Sequence, residues 1–207
     1  MTASIRFLMG LFVLVALLSV NSEAQDIPTD VRIESVSYKG SGCPNGSVNW
    51  SLATNATAIS FLFDNYKVQG NAPTLKSDCQ FRFMLKYPRN FRLKVVGVDY
   101  RGAAELPAGS VAKFSTNILQ QNGRIARTID DGSQTFAGPY SDQFVVSRAT
   151  TKGDWIQCNG VAGMNYIFST QLQVSNPSGQ DAYVQVDSSD VDIQGGFSFR
   201  LAWERCR

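Results

Sequence analysis

The chain has 207 residues, with 19 Lys and Arg against 17 Asp and Glu, no histidine, and a net charge of +2. So slight a positive balance gives no whole-protein attraction to nucleic acid or to an anionic bilayer. The missing histidine removes the Ser-His-Asp triad, the Cys-His pair and every imidazole-ligated metal, and no cofactor is indicated.

The first element is residues 7–20, FLMGLFVLVALLSV, an apolar run behind Arg6 that gives way to the small residues Ser22 and Ala24. It is too short to span a bilayer and reads as a secretory leader over 1–24. The mature chain, 25–207, is then sized for one domain of about 180 residues. No cysteine sits at the cleavage point, and the closing Trp203-Glu204-Arg205-Cys206-Arg207 is not an apolar tail. A secreted product without membrane insertion is expected, extracellular or periplasmic.

Alternation with period two then dominates, and helical periodicity is nearly absent. Val48, Trp50 and Leu52 alternate with polar residues, as do Ile59, Phe61 and Phe63 with their neighbours. If Trp50 points inward, Asn49 points out. Cys79, Phe81, Phe83, Leu85 and Tyr87 alternate with Gln80, Arg82, Met84 and Lys86; after Pro88-Arg89-Asn90 the apolar positions resume at Phe91, Leu93 and Val95. A hairpin in this register pairs Tyr87 with Phe91, Leu85 with Leu93 and Phe83 with Val95. Beyond Val95 the apolar phase passes to Val96, Val98 and Tyr100, which predicts a bulge near Gly97, because one extra residue exchanges the two faces.

Two further runs follow: Met164, Tyr166, Phe168, Thr170, Leu172, Val174; then Phe197, Phe199, Leu201, Trp203. Turn signals separate the runs, among them Pro44-Asn45-Gly46, Asn122-Gly123, Pro177-Ser178-Gly179 and Gly195-Gly196. About ten to twelve short strands spaced this way predict an all-β fold, a single antiparallel β-sandwich or jelly-roll-like domain. Its core should hold Phe81, Phe83, Leu85, Phe168, Leu172, Phe199, Leu201 and Trp203, with their sequence neighbours wet.

Candidate chemistry is sparse. In the hairpin register Arg82, Lys86, Arg92 and Lys94 share one outward face, with Lys86 opposite Arg92, a destabilising juxtaposition. It reads either as cationic protection of an exposed edge or as an anion-binding surface for an acidic polysaccharide or cell-surface component. Asp187, Asp190 and Asp192 cluster oxygen ligands as a calcium loop does, and a polar strand connection explains them equally. Asp64, Asp99, Glu105, Asp187 and Glu204 are the carboxylates available to a glycosidase pair, and none lies in a recognisable motif. Asn45-Gly46-Ser47, Asn49-Trp50-Ser51 and Asn55-Ala56-Thr57 match the N-glycosylation sequon, which is used in a eukaryotic secretory pathway.

Cys43, Cys79, Cys158 and Cys206 have no zinc-type spacing; an even set in an oxidising compartment implies two disulfides, with three pairings open. Pairing neighbours along the chain would close two loops, each worth roughly 4 kcal/mol in the chain-entropy account.

The stretch Gly40-Ser41-Gly42-Cys43-Pro44-Asn45-Gly46-Ser47 resembles the GSGCPxGS signature of secreted proteins grouped as domain of unknown function 4360. The resemblance continues through Phe63-Asp64-Asn65-Tyr66, Cys79-Gln80, Tyr87-Pro88 with Phe91, and Asp99-Tyr100-Arg101-Gly102. It runs on through Gly138-Pro139 and Cys158 to Trp203 and Cys206. Where the family usually has glycine this chain has Asn90, which also tolerates a left-handed turn. The resemblance implies a secreted, disulfide-bonded β protein and brings no catalytic or binding residues with it. Together with proximity in sequence, the family's arrangement points to Cys43–Cys79 and Cys158–Cys206. The functional expectation is a non-catalytic extracellular binding or structural module, engaging an anionic glycan or a cell surface; the alternative is a histidine-free glycosidase-type hydrolase using paired carboxylates.

Overall fold

The computed structural model describes residues 27–122, 125–150, 152, 155, 158, 164–186 and 197–206. The leader over 1–24 and the calcium candidates Asp187, Asp190 and Asp192 lie outside the described residues. Among the described residues there are twelve strands: β1 (Arg32–Lys39), β2 (Val48–Leu52), β3 (Ala58–Phe63), β4 (Lys67–Gly70), β5 (Thr74–Lys86), β6 (Phe91–Leu106), β7 (Val111–Asn122), β8 (Ile125–Ala137), β9 (Tyr140–Ala149), β10 (Met164–Ser175), β11 (Ala182–Val186) and β12 (Phe197–Arg205). Every pairing is antiparallel.

Five strands form one sheet in the order β1-β5-β10-β7-β8, and seven form the other along β2-β3-β12-β6-β11-β4, with β9 joined to β6. The sixteen-residue β6 makes this possible. Tyr100 is paired with Phe197 of β12 and Val146 of β9 at once, and Gly102 with Val186 of β11 and Phe144 of β9. Strands β12 and β11 therefore share one side of β6, and β9 takes the other.

The core is where the alternation placed it. Phe81, Phe83, Leu85, Phe168, Leu172, Phe199, Leu201 and Trp203 are all buried, and Arg82 is exposed. Across the sandwich the Phe168 and Phe199 rings lie 3.7 Å apart by centroid, and Phe61 lies 5.0 Å from Phe81. Within the five-stranded sheet Phe83 stacks on Phe168 at 5.2 Å and 11°. Such aromatic contacts add roughly 0.5–1.5 kcal/mol each beyond the area they bury. Trp50 stays 45% exposed although it follows the inward phase of Val48, because β2 is the last strand of its sheet. Asn49 is exposed as well.

The bulge falls where the phase change put it: Leu201 pairs with Val95 and Arg200 with Gly97, leaving Val96 extra. The Arg200 guanidinium covers Gly97, where an added Cβ would sit 2.3 Å from it, and reaches Asp99 at 2.9 Å.

The hairpin does not form. β5 pairs with β1 and β10, while β6 pairs with β12, β11 and β9, so the two strands lie in different sheets and are joined by an arch over Pro88. Alternation tells which face is buried but not which strand supplies the ladder. β10 offers β5 a continuous ladder from Leu85–Met164 to Thr74–Ser175, longer than a hairpin interrupted by the bulge could provide. Tyr87 then packs edge-on against Trp203 of the opposite sheet, 5.1 Å away.

The pairing of cysteines by neighbourhood is the one found, Cys43–Cys79 and Cys158–Cys206, with Cα atoms 5.5 and 5.6 Å apart.

Candidate functional site: a polar cleft on the five-stranded sheet

Splitting β5 from β6 splits the basic set. Arg82 and Lys86 lie on the outer face of the five-stranded sheet, Arg92 and Lys94 on the outer face of the other. Lys86 reaches Glu34 at 2.9 Å, a hydrogen bond that holds the Glu34 carboxyl below its ordinary pKa. Arg92 reaches Glu204 at 2.7 Å and lies over the Trp155 ring at 5.2 Å. The like-charge opposition expected from the hairpin is absent, and each of these two cations has a carboxylate partner instead.

The outer face of the five-stranded sheet carries something the charges had obscured. Register aligns Gln80, Ser169, Asn117 and Asp131 in one row across β5, β10, β7 and β8, and Asp78, Gln171, Ser115 and Ser133 in the next. Between them lies an open cleft of about 600 Å³ whose lining includes amide, hydroxyl and carboxylate side chains beside Cys79 and Gly132, with Lys113 at one end. Gln80 donates to Ser169 at 3.1 Å, so the floor is partly self-bonded and presents the remaining donors and acceptors outward. A second, smaller hollow of about 290 Å³ shares Gln80 and is lined by Ser37, Tyr38, Lys39 and Arg82. Of the four basic candidates, Arg82 alone borders this region.

The glycine-rich turn before β2 fixes the rim. Gly40, at φ +142°, lies so close to Asp78 that a Cβ would be 2.2 Å from its carbonyl oxygen, and at Gly42 a Cβ would be 2.2 Å from the Tyr66 ring. This approach lets Gly42 N–H donate to the Asp78 carbonyl at 2.8 Å and the Ser41 hydroxyl donate to the Asp78 carboxylate at 3.0 Å. The Cys43–Cys79 bond locks the contact. Beneath the floor, the buried Tyr66 hydroxyl donates to Thr170 at 2.8 Å, and Thr170 donates to the Cys79 carbonyl at 3.1 Å. Burial pushes the Tyr66 phenol well above its ordinary pKa.

At the far side, the fully buried Asp130 of β8 takes a bidentate pair of bonds from Arg148 of β9, at 2.7 and 2.5 Å, which joins the two sheets behind Gly132. The same guanidinium donates to Thr116 at 2.6 Å, and Asp130 raises the Arg148 pKa.

Among the described residues the candidate carboxylates do not gather into a pair. Asp78 and Asp131 line the cleft on strands three ladder steps apart, about 14 Å at the usual strand spacing. Asp78 is held toward Ser41 and Asp131 toward Lys152, at 3.0 and 2.8 Å. Asp99 and Glu105 are six residues apart on one strand, about 20 Å, while Glu204 is bound to Arg92 and Asp64 follows β3 in a turn. Glycosidase pairs need roughly 5–10 Å. Among the described residues no group of three acidic or sulfur ligands could hold a metal.

Sequence reasoning missed the cleft. Its signal was Ser169 and Gln171 in the wet positions of the 164–174 run, but the lateral partners that complete each row are set by long-range pairing.

A curated relative from Arthroderma benhamiae, an uncharacterized secreted protein, is 27% identical over 185 residues, covering 86% of this chain and 73% of its own length. The two disulfides and this relative agree on a secreted protein. Two solved structures are similar at 8% identity: the carbohydrate-binding module TmCBM61 in complex with β-1,4-galactotriose, covering 83% of this chain and 89% of that one at a TM-score of 0.27, and TmCBM27, described for specific mannan recognition, covering 84% and 98% at 0.31. Scores this low carry no functional inference. Over residues 29–206 the chain matches the domain of unknown function (DUF4360), and it belongs to that family.

Proposed function

We propose that the protein is a secreted, non-catalytic binding module that takes a polyhydroxylated chain, a polysaccharide, along the outer face of its five-stranded sheet. The observation that supports this reading is the cleft built from the Gln80–Asn117 and Asp78–Ser133 rows. Amide, hydroxyl and carboxylate groups offer donors and acceptors side by side, which suits vicinal sugar hydroxyls and does not suit an apolar small molecule. The cleft is open and strand-crossing, so a chain rather than a single sugar fits it.

Acidic substituents of such a chain would meet Lys39 and Arg82 in the adjoining hollow, with arginine favoured for bidentate contact to a carboxylate or sulfate. Lys86, Arg92 and Lys94 have no part in this reading. The hydrolase alternative is not favoured, because the cleft carboxylates sit too far apart and each is held by another partner.

Affinity electrophoresis in gels containing neutral or acidic polysaccharides tests the reading. The Asn117→Ala, Gln171→Ala double variant should lose retardation on every polysaccharide that retards the wild type, whereas Arg82→Ser should lose it on acidic ones alone. A wild type that none retards, or a double variant retarded like it, refutes the proposal.

A further inference from the structure

A separate feature lies on the other sheet, at β2. A terminal strand offers unpaired N–H and C=O groups to any passing strand, and natural proteins blunt such edges with charge, proline or a bulge. The other terminal strands follow this rule: β1 carries Arg32, Glu34 and Lys39, β4 carries Lys67, β8 carries Arg127, Asp130 and Asp131, and β9 carries Asp142 and Arg148. β2, Val-Asn-Trp-Ser-Leu, carries none, and no charged residue occurs anywhere from Gly40 to Phe63. The strand also bears the half-exposed Trp50. An uncharged edge with an exposed indole is an aggregation hazard in a secreted protein, unless something covers it.

The same uncharged stretch holds the sequons. Asn49 is exposed on β2 itself, and Asn55 is exposed in the turn between β2 and β3. The Asn55 carboxamide oxygen already accepts the Thr57 hydroxyl at 2.7 Å and the Thr57 N–H at 3.2 Å, so acceptor and hydroxyl of that sequon are in register. Asn45 stands apart, beside Cys43 in a turn where the Ser47 hydroxyl is committed to the Pro44 carbonyl at 2.7 Å.

We propose that Asn49 and Asn55 are acceptors of N-linked oligosaccharide and that these glycans are the cover of the β2 edge. The donor class is a polyprenyl-diphosphate-linked oligosaccharide. The asparagine Nδ2–C1 bond forms, the C1–O bond to diphosphate breaks, the polyprenyl diphosphate leaves with the bonding pair, and the amide loses one proton. A bulky hydrated chain at each end of a five-residue strand blocks strand addition as charge does elsewhere. Both glycans would sit on the seven-stranded sheet, away from the polar cleft.

The test is the full chain secreted from a eukaryotic host. Intact mass should fall on treatment with an amidase that cleaves N-glycans, with Asn converted to Asp at positions 49 and 55. Asn49→Gln and Asn55→Gln should each lose one glycan, and Asn45→Gln none. The chain deglycosylated by the Asn49→Gln, Asn55→Gln double substitution, which leaves the strand uncharged where the amidase would create two aspartates, should self-associate with rising concentration in sedimentation, while the glycosylated wild type stays monomeric. An unmodified secreted chain overturns the acceptor assignment, and a deglycosylated protein that stays monomeric overturns the covering role.

Discussion

Removing Arg148 should cost far more than removing Arg148 and Asp130 together. Asp130 is fully buried on the inner side of β8 and receives a bidentate pair of charge-assisted bonds from Arg148. Taking away one partner of a buried pair leaves a desolvated charge and costs about 3–5 kcal/mol. The Arg148 side chain is 22% exposed, so water enters part of the gap and the lower figure, about 3 kcal/mol, applies to Arg148→Met. The double change Asp130→Leu, Arg148→Met removes the buried carboxylate as well and should recover most of that loss, since well-packed apolar replacements of such pairs are often neutral. The cost that remains reflects Thr116, which loses its 2.6 Å bond. Urea denaturation of the wild type, both single variants and the double variant forms the cycle. An Arg148→Met loss below about 1 kcal/mol, or a double variant as unstable as the single, would refute the reasoning.

Tyr166 is buried with no hydrogen-bond partner for its hydroxyl among the described residues, so Tyr166→Phe should stabilise the fold by about 1 kcal/mol in thermal unfolding, and a loss would mean the hydroxyl is satisfied. Burial raises the phenols of Tyr87 and Tyr100 to about 12 and lifts Tyr66 and Tyr166 as well. Because these folded pKa values exceed the unfolded one, the stability they carry is complete below about pH 10 and is lost as pH rises toward about 12. The share of tyrosinate absorbance that these four phenols contribute should therefore appear together with loss of the β signal in circular dichroism, and their ionisation in an intact fold would contradict this. Gly42→Ala drives a Cβ into the Tyr66 ring and should destabilise by about 2 kcal/mol or more; unchanged urea midpoints would show that the turn yields.

The fold was legible because burial is written residue by residue: the alternation in 79–87, 164–174 and 197–203 named the core, and the phase change after Val95 named the bulge. Partner choice was not legible. Tyr87, Pro88 and Phe91 look the same whether the chain makes a hairpin or an arch, and the outcome depends on ladders that β10 and β12 supply from distant sequence. That one difference dispersed Arg82, Lys86, Arg92 and Lys94 over two outer faces. The cleft was hidden for the same reason, since Gln80, Ser169, Asn117 and Asp131 become neighbours only through three separate pairings. Disulfide pairing was easier, because each bond joins cysteines adjacent in the chain's own cysteine order.

The most direct measurement is a backbone-amide NMR titration with the oligosaccharide form of any polysaccharide that retards the protein. Such a titration reads binding as weak as about 1 mM, equivalent to about 4 kcal/mol. Shifts confined to Gln80, Ser115, Asn117, Asp131, Ser169, Gln171 and their strand neighbours are the predicted result. Shifts centred on the opposite outer face, around Arg92, Asp99, Ser198 and Glu204, would contradict it.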